Sequence, residues 1–424
     1  MKGLFITGYF PKNPDKDVHG VFKRMNVLLE ALGRVADDID FLAFYEPPLD
    51  VHATALKMYA DHFSHVTHRP VHLFLVPQRP VPEAAGLIRL VHHRTKAFID
   101  PFSTPINGFC HLAGPAAEQA VRNCLARRPD LIFVHRLPAM GRILKARSPL
   151  PPVFFDLDDI EHWSCLRGIP VSPTWRLKFR YALNVIPLLA AERAAMKAAK
   201  CTYVCSETDR DYLRKLSSSD IHVIPNSIDI PPAIAETPGP ASLLFLGYYG
   251  YKPNVLAAEY LVREIWPRVK QRVPEAALTI AGAGAEVLGC SNARVPGVQV
   301  TGFVQDLAAL YATARVVCCP MLTGGGTRIK IIEAAAYAKP VVATRVGAEG
   351  LAFQNETEIL IRNDPDAFAE TCIALLANHA LCSQIGRAAR QKAIEYYDRS
   401  RVIDRIALSL FEGLHPGKGR LSRH

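Results

Sequence analysis

The sequence predicts an α/β fold of two doubly wound domains, each built on a parallel sheet, facing each other across a cleft. Three observations carry this. Short apolar runs alternate with helical segments along the whole chain, which is the pattern of parallel βα units. The stretch Pro231-Pro232-Ala233-Ile234-Ala235-Glu236-Thr237-Pro238-Gly239-Pro240 is dense in helix-breaking residues, and beyond it the pattern starts again. A chain of 424 residues also exceeds what one hydrophobic core usually holds. The expected division is 1–232 and 241–396, with a terminal helix over 397–414 joining the first domain.

Leu4-Phe5-Ile6-Thr7 reads as the first strand. The turn after it, Gly8-Tyr9-Phe10-Pro11, falls at a strand's carboxyl end, where open α/β sheets bind ligands. After a loop to His19-Gly20, residues 21–32 carry helical apolar spacing. Gly20 is either a point where substrate approaches the backbone or a plain helix-start glycine. Phe41–Tyr45 and Leu73–Val76 are further strands. Leu131-Ile132-Phe133-Val134 is another, and it ends at His135-Arg136. A histidine there is placed to touch a ligand, although an isolated one is more often structural. Val153-Phe154-Phe155-Asp156-Leu157-Asp158 repeats the pattern with carboxylates at its end, without the further ligands a metal would need. Tyr203–Glu207 and Ile221–Asn226 complete this half.

Two stretches mix basic and apolar residues. Over 84–102, Leu87, Ile88, Val91 and Phe98 can share a side, with Arg89, His92, His93, Arg94 and Lys96 around the rest. Trp175-Arg176-Leu177-Lys178-Phe179-Arg180-Tyr181 is similar. Each is either a segment lying on an anionic leaflet or a helix packed on the sheet with a solvated basic face.

In the second half every strand runs into a turn that carries glycine. Ser242–Leu246 leads to Gly247 and on to Lys252-Pro253-Asn254, Ala277–Ala281 to Gly282-Ala283-Gly284, and Val298–Thr301 to Gly302-Phe303-Val304. Val316–Pro320 leads to Gly324-Gly325-Gly326-Thr327-Arg328-Ile329-Lys330, and a helix over 331–338 follows before Lys339-Pro340 and the strand Val341–Thr344. Backbone N–H groups at such strand-to-helix turns converge on anions. Arg328 and Lys330 are placed in the helix's first turn, where cations oppose the dipole. A bound phosphate would turn that misfit into attraction, with Arg328 as a planar fork and Lys330 as a point charge. The turn alone leaves a second reading open, a flexible loop before a solvated basic helix face. Glu333, one turn further, is suited to accept hydrogen bonds from sugar hydroxyls, or is an exposed helix glutamate.

Bulk properties narrow the partners. A formal charge of +10 favours anionic ones, but no Lys/Arg block or aromatic-basic motif of the nucleic-acid binders is present. The ten cysteines show no CxxC pair or metal-ligand spacing, as expected of reduced, buried thiols. The first residues hold too short an apolar run for a signal peptide, and no uncharged apolar stretch would span a bilayer. The expected location is the cytoplasm, at most peripheral to the inner face of the plasma membrane.

With these residues assembled, the chain resembles the family 4 retaining glycosyltransferases, whose GT-B fold is two Rossmann-like domains. The stretch 325–334, continuing through Lys339-Pro340-Val341-Val342-Ala343-Thr344 to Val346-Gly347-Ala348-Glu349-Gly350-Leu351, looks like that family's donor signature. Val223-Ile224-Pro225-Asn226-Ser227-Ile228-Asp229 is similar to its interdomain motif, and Val204–Asp209 to the strand and turn before it. The resemblance implies transfer of a sugar from a nucleoside diphosphate sugar to a glycan or lipid-linked acceptor, in cell-surface or exopolysaccharide synthesis, with no cofactor and no metal. It implies that Glu333 binds the donor ribose, that the backbone around Gly324, Gly325, Gly326 and Thr327 holds the diphosphate with Arg328 and Lys330, and that Phe303 and Val304 frame the base. Gly247, Gly282 and Gly284 would line the same pocket, and Lys252 would meet the diphosphate. Gly20 matches the acceptor loop, and His135 the histidine near the transferred sugar. One departure stands out: Gly325 occupies the position where many members carry a second glutamate eight residues before the ribose-binding one. An epimerase or hydrolase of the same fold, or a non-catalytic subunit that keeps the donor pocket, are the alternatives.

Overall fold

The computed structural model describes residues 1–12, 20–47, 49, 52–78, 102, 112, 114–146, 149–172, 174–232, 240–292 and 295–415. The reading of 84–102 as a basic amphipathic stretch lies, apart from Phe102, outside the described residues. The chain forms two compact units, Met1–Pro225 with Ser400–His424, and Asn226–Arg399.

The first unit holds β1 (Lys2–Thr7), β2 (Asp38–Tyr45), β3 (Val71–Pro77), β4 (Leu131–His135), β5 (Val153–Asp156), β6 (Cys201–Val204) and β7 (Ile221–Val223). They make one parallel sheet in the order β3-β2-β1-β4-β5-β6-β7. Both faces are covered, which is why the strands read as unbroken apolar runs and not as alternating ones. On one face Ile6, Ile132, Val134 and Phe155 are buried, and on the other Phe5, Phe41, Phe133 and Phe154. Phe5 stacks on Phe133 at 5.6 Å and meets Phe41 edge-on at 5.4 Å. The helices that matter below are α1 (Gly20–Gly33), α2 (Leu137–Leu144), α3 (Glu161–Val171) and α4 (Trp175–Ala198). The terminal helix Arg399–Leu414 buries Val402, Ile403, Ile406 and Leu410 in the core of this unit. Its Arg405 donates to the Val223 carbonyl at 3.0 Å.

The second unit holds β8 (Ser242–Leu246), β9 (Ala277–Ala281), β10 (Val298–Thr301), β11 (Val316–Cys319), β12 (Val341–Ala343) and β13 (Leu360–Ile361) in the order β10-β9-β8-β11-β12-β13. In both sheets the strand order reverses next to the first strand, between β1 and β4 and between β8 and β11. Such reversals leave a crevice at the carboxyl ends of the two strands, because the flanking connections run to opposite faces.

One boundary differs from the sequence reading, which put residues 226–232 in the first domain. These residues belong to the second unit, since their backbone groups pair with its far end. The Ile228 amide donates to the Tyr397 carbonyl at 3.0 Å, the Arg399 amide to Ile228 at 2.9 Å, and Arg390 to Pro231 at 2.7 Å. Among the described residues no helix is long and apolar enough to cross a membrane. The nine described cysteines are all free thiols, and all but Cys290 are buried.

Candidate functional site

The crevice of the second unit is shaped by glycines, four of them with positive φ and two of these too crowded to take a side chain. Gly282, at the end of β9, has φ 133°, and a Cβ on it would lie 1.8 Å from the Gly247 carbonyl oxygen. The Gly247 amide in turn donates to Ala281 at 3.0 Å, so the turns after β8 and β9 are locked together. Gly284 follows with φ 80°. After β11, Gly324 has φ 114° and Gly326 φ 67°, a region that only glycine adopts freely. A Cβ on Gly324 would meet the Tyr251 hydroxyl at 2.8 Å and Arg328 Nη2 at 3.1 Å, whereas one on Gly326 would meet nothing within 4 Å. The turn is therefore packed on its inner side and open at Gly326. Asn226 Nδ2 fixes it by donating to Thr327 Oγ1 at 2.8 Å.

Arg328 is not in the helix's first turn as the sequence suggests. Helix α6 (Ile329–Ala336) begins one residue later, and Arg328 is its N-cap with φ −90° and ψ 92°. (α5 is the helix Lys252–Tyr260 after β8.) The Arg328 side chain folds back into the turn and is only 7% exposed. Its Nη1 donates to the carbonyls of Gly325 and, at 2.7 Å, of Gly326. Its Nε and Nη2 are buried and have no hydrogen-bond partner among the described residues. A guanidinium with two orphaned donors is expensive unless an anion completes it.

Lys330 sits in the first turn of α6 and is held on two sides. Its Nζ donates to Asn254 Oδ1 at 2.8 Å and lies 4.5 Å over the Phe245 ring. Asn254 Nδ2 donates to the Tyr248 carbonyl at 2.8 Å, which ties α5 to the β8 turn. Burial, with Arg328 nearby, brings the Lys330 ammonium down to about 8. Glu333 is 9% exposed and is no surface carboxylate. It meets the buried Tyr311 hydroxyl, whose ring stacks on Tyr337 at 4.6 Å. Lys252, at the start of α5, is exposed. Phe303 is 54% exposed in the turn after β10, and Val304 is half-buried against the core.

Gly247, Gly282, Gly284, Gly324, Gly325, Gly326, Thr327, Arg328, Lys330 and Glu333 thus all lie on the turns at the carboxyl edge of one sheet or in the helix that follows. Gly20 and His135 belong to the first unit, Gly20 as the first residue of α1.

His135 ends β4 at the strand reversal of the first sheet, fully buried. Thr7 Oγ1 accepts from the Tyr9 amide at 3.1 Å and lies 3.0 Å from His135 Nδ1, while Nε2 lies 3.8 Å from Asp156. Burial pushes the imidazole down to about 3, so it is neutral. Asp156 is clasped by Arg24 of α1, whose Nε reaches both carboxylate oxygens at 3.1 and 3.0 Å and whose Nη1 donates to the Ile224 carbonyl at 3.0 Å. Burial pulls the Arg24 guanidinium down, and Asp156 more than offsets this, holding it above its ordinary value. Burial raises the Asp156 carboxyl against the pull of Arg24. Asp158 is held low although burial opposes this, because Arg136 and Arg24 lie near. Arg136 adopts φ 70°, rare for a non-glycine residue, at the same reversal.

Arg24, Asn254, Asn226 and Tyr311 were not singled out from the sequence as site residues. A signal existed for Arg24: it shares a helix side with Leu28 and Ala31, and a cation on an apolar face needs a carboxylate. For Tyr311 no local signal exists.

Comparison with known proteins agrees with this architecture. The Glycosyl transferases group 1 model matches residues 240–378, and the Glycosyltransferase Family 4 model residues 56–230. The chain is 28% identical over 213 residues to a phosphatidyl-myo-inositol mannosyltransferase of Mycobacterium leprae, covering 47% of this chain and 56% of that protein. It is 24% identical over 173 residues to an uncharacterized 44.6 kDa protein in the cps region of Klebsiella pneumoniae, covering 39% and 45%. The chain thus spans about half the length of the curated relatives it matches. Among solved structures, sucrose-phosphate synthase from Thermosynechococcus elongatus superposes with TM-score 0.69 at 18% identity, covering 98% of this chain and 99% of that one. Anabaena HepE in complex with UDP and glucose superposes with TM-score 0.61 at 16% identity, covering 97% and 100%. Two family models that together take in most of the chain, and two reversed parallel sheets with glycine-lined turns, lead to one assignment: this chain belongs to the family 4 glycosyltransferases of the GT-B fold.

Proposed function

We propose that this chain is a retaining glycosyltransferase that takes a sugar from a nucleoside diphosphate sugar and passes it to a glycan or lipid-linked acceptor. The observation that carries the donor half is Arg328, a nearly buried guanidinium with two unpartnered nitrogens at the mouth of a strand reversal. A diphosphate is the ligand class that fits it, because Arg328 caps the helix that follows the glycine turn and Lys330 stands in that helix's first turn, so both cations serve one anion site. HepE, solved with UDP and glucose, supports this donor class.

In the step itself the bond between the anomeric carbon and the diphosphate oxygen breaks, and its electron pair stays on the diphosphate. Arg328, Lys330 and the N–H groups of the turn stabilise that charge. The acceptor oxygen bonds to the anomeric carbon on the face the diphosphate leaves, and the proton of its hydroxyl passes to the departing diphosphate oxygen. Gly20 in the first unit supports the reading of an acceptor loop there, and the neutral His135 at the strand reversal supports its role beside the transferred sugar. A cell-surface or exopolysaccharide product, made at the cytoplasmic face of the membrane, is in keeping with the mannosyltransferase and cps-region relatives.

Glu333→Gln tests the donor assignment, because a charge-assisted pair of hydrogen bonds to ribose contributes about 1.5–3 kcal/mol. Nucleoside diphosphate affinity is expected to fall roughly 10- to 100-fold by calorimetry. Unchanged affinity would remove Glu333 from the site.

A further inference from the structure

Helix α4 is apolar on two opposite sides, and among the described residues only one of them is covered. Its inner side buries Asn184, Pro187, Leu188, Ala191 and Ala195. On the outer side, Trp175 is 72% exposed, Phe179 50% and Ile186 59%, with Ala182 exposed between them. At about 100° per residue these four fall within roughly 60° of one another, on the side of the helix away from the buried set. The core of the unit therefore gives no reason for their being apolar. Leu166 of the neighbouring α3 is also exposed.

The charges beside the stripe are all of one sign. Arg176, Lys178 and Arg180 are exposed, and no acidic residue occurs from Thr174 to Ala191. The next one, Glu192, is fully buried and engaged with His162. At the same helical spacing Lys178 falls on one flank of the stripe and Arg176 on the other, so each can reach past the apolar side chains. The Arg176 guanidinium lies 5.7 Å from the Trp175 ring centre.

We propose that the outer face of α4 lies in the headgroup region of an anionic bilayer, with Trp175, Phe179 and Ile186 entering the acyl boundary and the flanking Arg176 and Lys178 meeting lipid phosphates. A helix lying in the plane of the interface needs this combination of an aromatic and aliphatic stripe with a cationic border. A protein partner would more usually be met by a stripe bordered with both signs. The surface is independent of the donor site, and nucleotide binding reads the one while lipid partition reads the other.

The test is flotation of the full chain with vesicles of phosphatidylcholine alone and of phosphatidylcholine with phosphatidylglycerol. The wild type is expected to float with the anionic vesicles, and its tryptophan emission to shift to the blue in a way that Trp175→Phe abolishes. The triple variant Trp175→Ser, Phe179→Ser, Ile186→Ser should lose at least about tenfold in partition while keeping its melting midpoint and its response to nucleotide. Each of Arg176→Gln and Lys178→Gln should lower partition about fivefold, the equivalent of about 1 kcal/mol per cation. Wild-type protein that stays in the dense fraction overturns the proposal, as does a triple variant that floats equally well. Light scattering that shows wild-type dimers split by the triple variant, with no effect of lipid, would instead make this face a contact between two copies.

Discussion

Arg328→Ala is expected to lower kcat/KM by roughly 10²- to 10³-fold, the usual cost of removing one fixed donor from a developing oxyanion. The reaction to follow is release of nucleoside diphosphate from the sugar nucleotide whose base the protein recognises. The reason for so large an effect is that two of the three guanidinium nitrogens are already stripped of water and unpaired. Their cost of desolvation is met in folding, and the ligand collects the full interaction. Arg328→Lys should recover only part of the loss, because an ammonium keeps the charge but not the fork. A variant with wild-type kinetics would show that the buried guanidinium serves the turn alone, through its bonds to Gly325 and Gly326.

The second large effect falls on stability. Asp156→Ala should destabilise the first unit by about 3–5 kcal/mol, since it takes from the buried Arg24 guanidinium its close partner and leaves the longer contact to Asp158 at 3.7 Å. The side chains of Arg24 and Asp156 are 2% and 0% exposed, so water cannot replace the lost partner. For a unit of this size the midpoint should fall by roughly 10 °C or more. The double variant Arg24→Met, Asp156→Leu should recover most of this, because an apolar pair of similar volume carries no uncompensated charge. If single and double variants melt alike, the pair is not what holds α1 against β5.

The comparison of sequence with structure separates what is local from what is not. Leu131–Val134 and Val316–Cys319 are legible as strands because burial on both faces demands apolar residues throughout. The glycines are legible because turns that pack at Gly282 and Gly324 exclude any side chain. β13 is two residues long and carries too little pattern to be read. The pairs that tune the site are invisible locally: Arg24 and Asp156 are 132 residues apart, and Asn254 and Lys330 are 76 apart. Arg328 is misplaced by one position because a helix's start is decided by backbone geometry, here an extended N-cap, and not by composition. The cluster at Trp175–Tyr181 shows its basic character in sequence. Its two-sidedness appears only when the buried face of α4 is known.

The central claim, that the glycine-lined turns of the second unit bind a nucleoside diphosphate, is tested most directly by thermal unfolding with UDP, GDP, ADP and dTDP in turn. A ligand at about a hundred times its dissociation constant adds roughly 2.7 kcal/mol to the state that binds it. For a unit of this size that corresponds to roughly 5–10 °C in the midpoint. The account predicts such a rise with one of the four nucleotides, and its loss in Arg328→Ala. Four flat responses from the wild-type protein would contradict it.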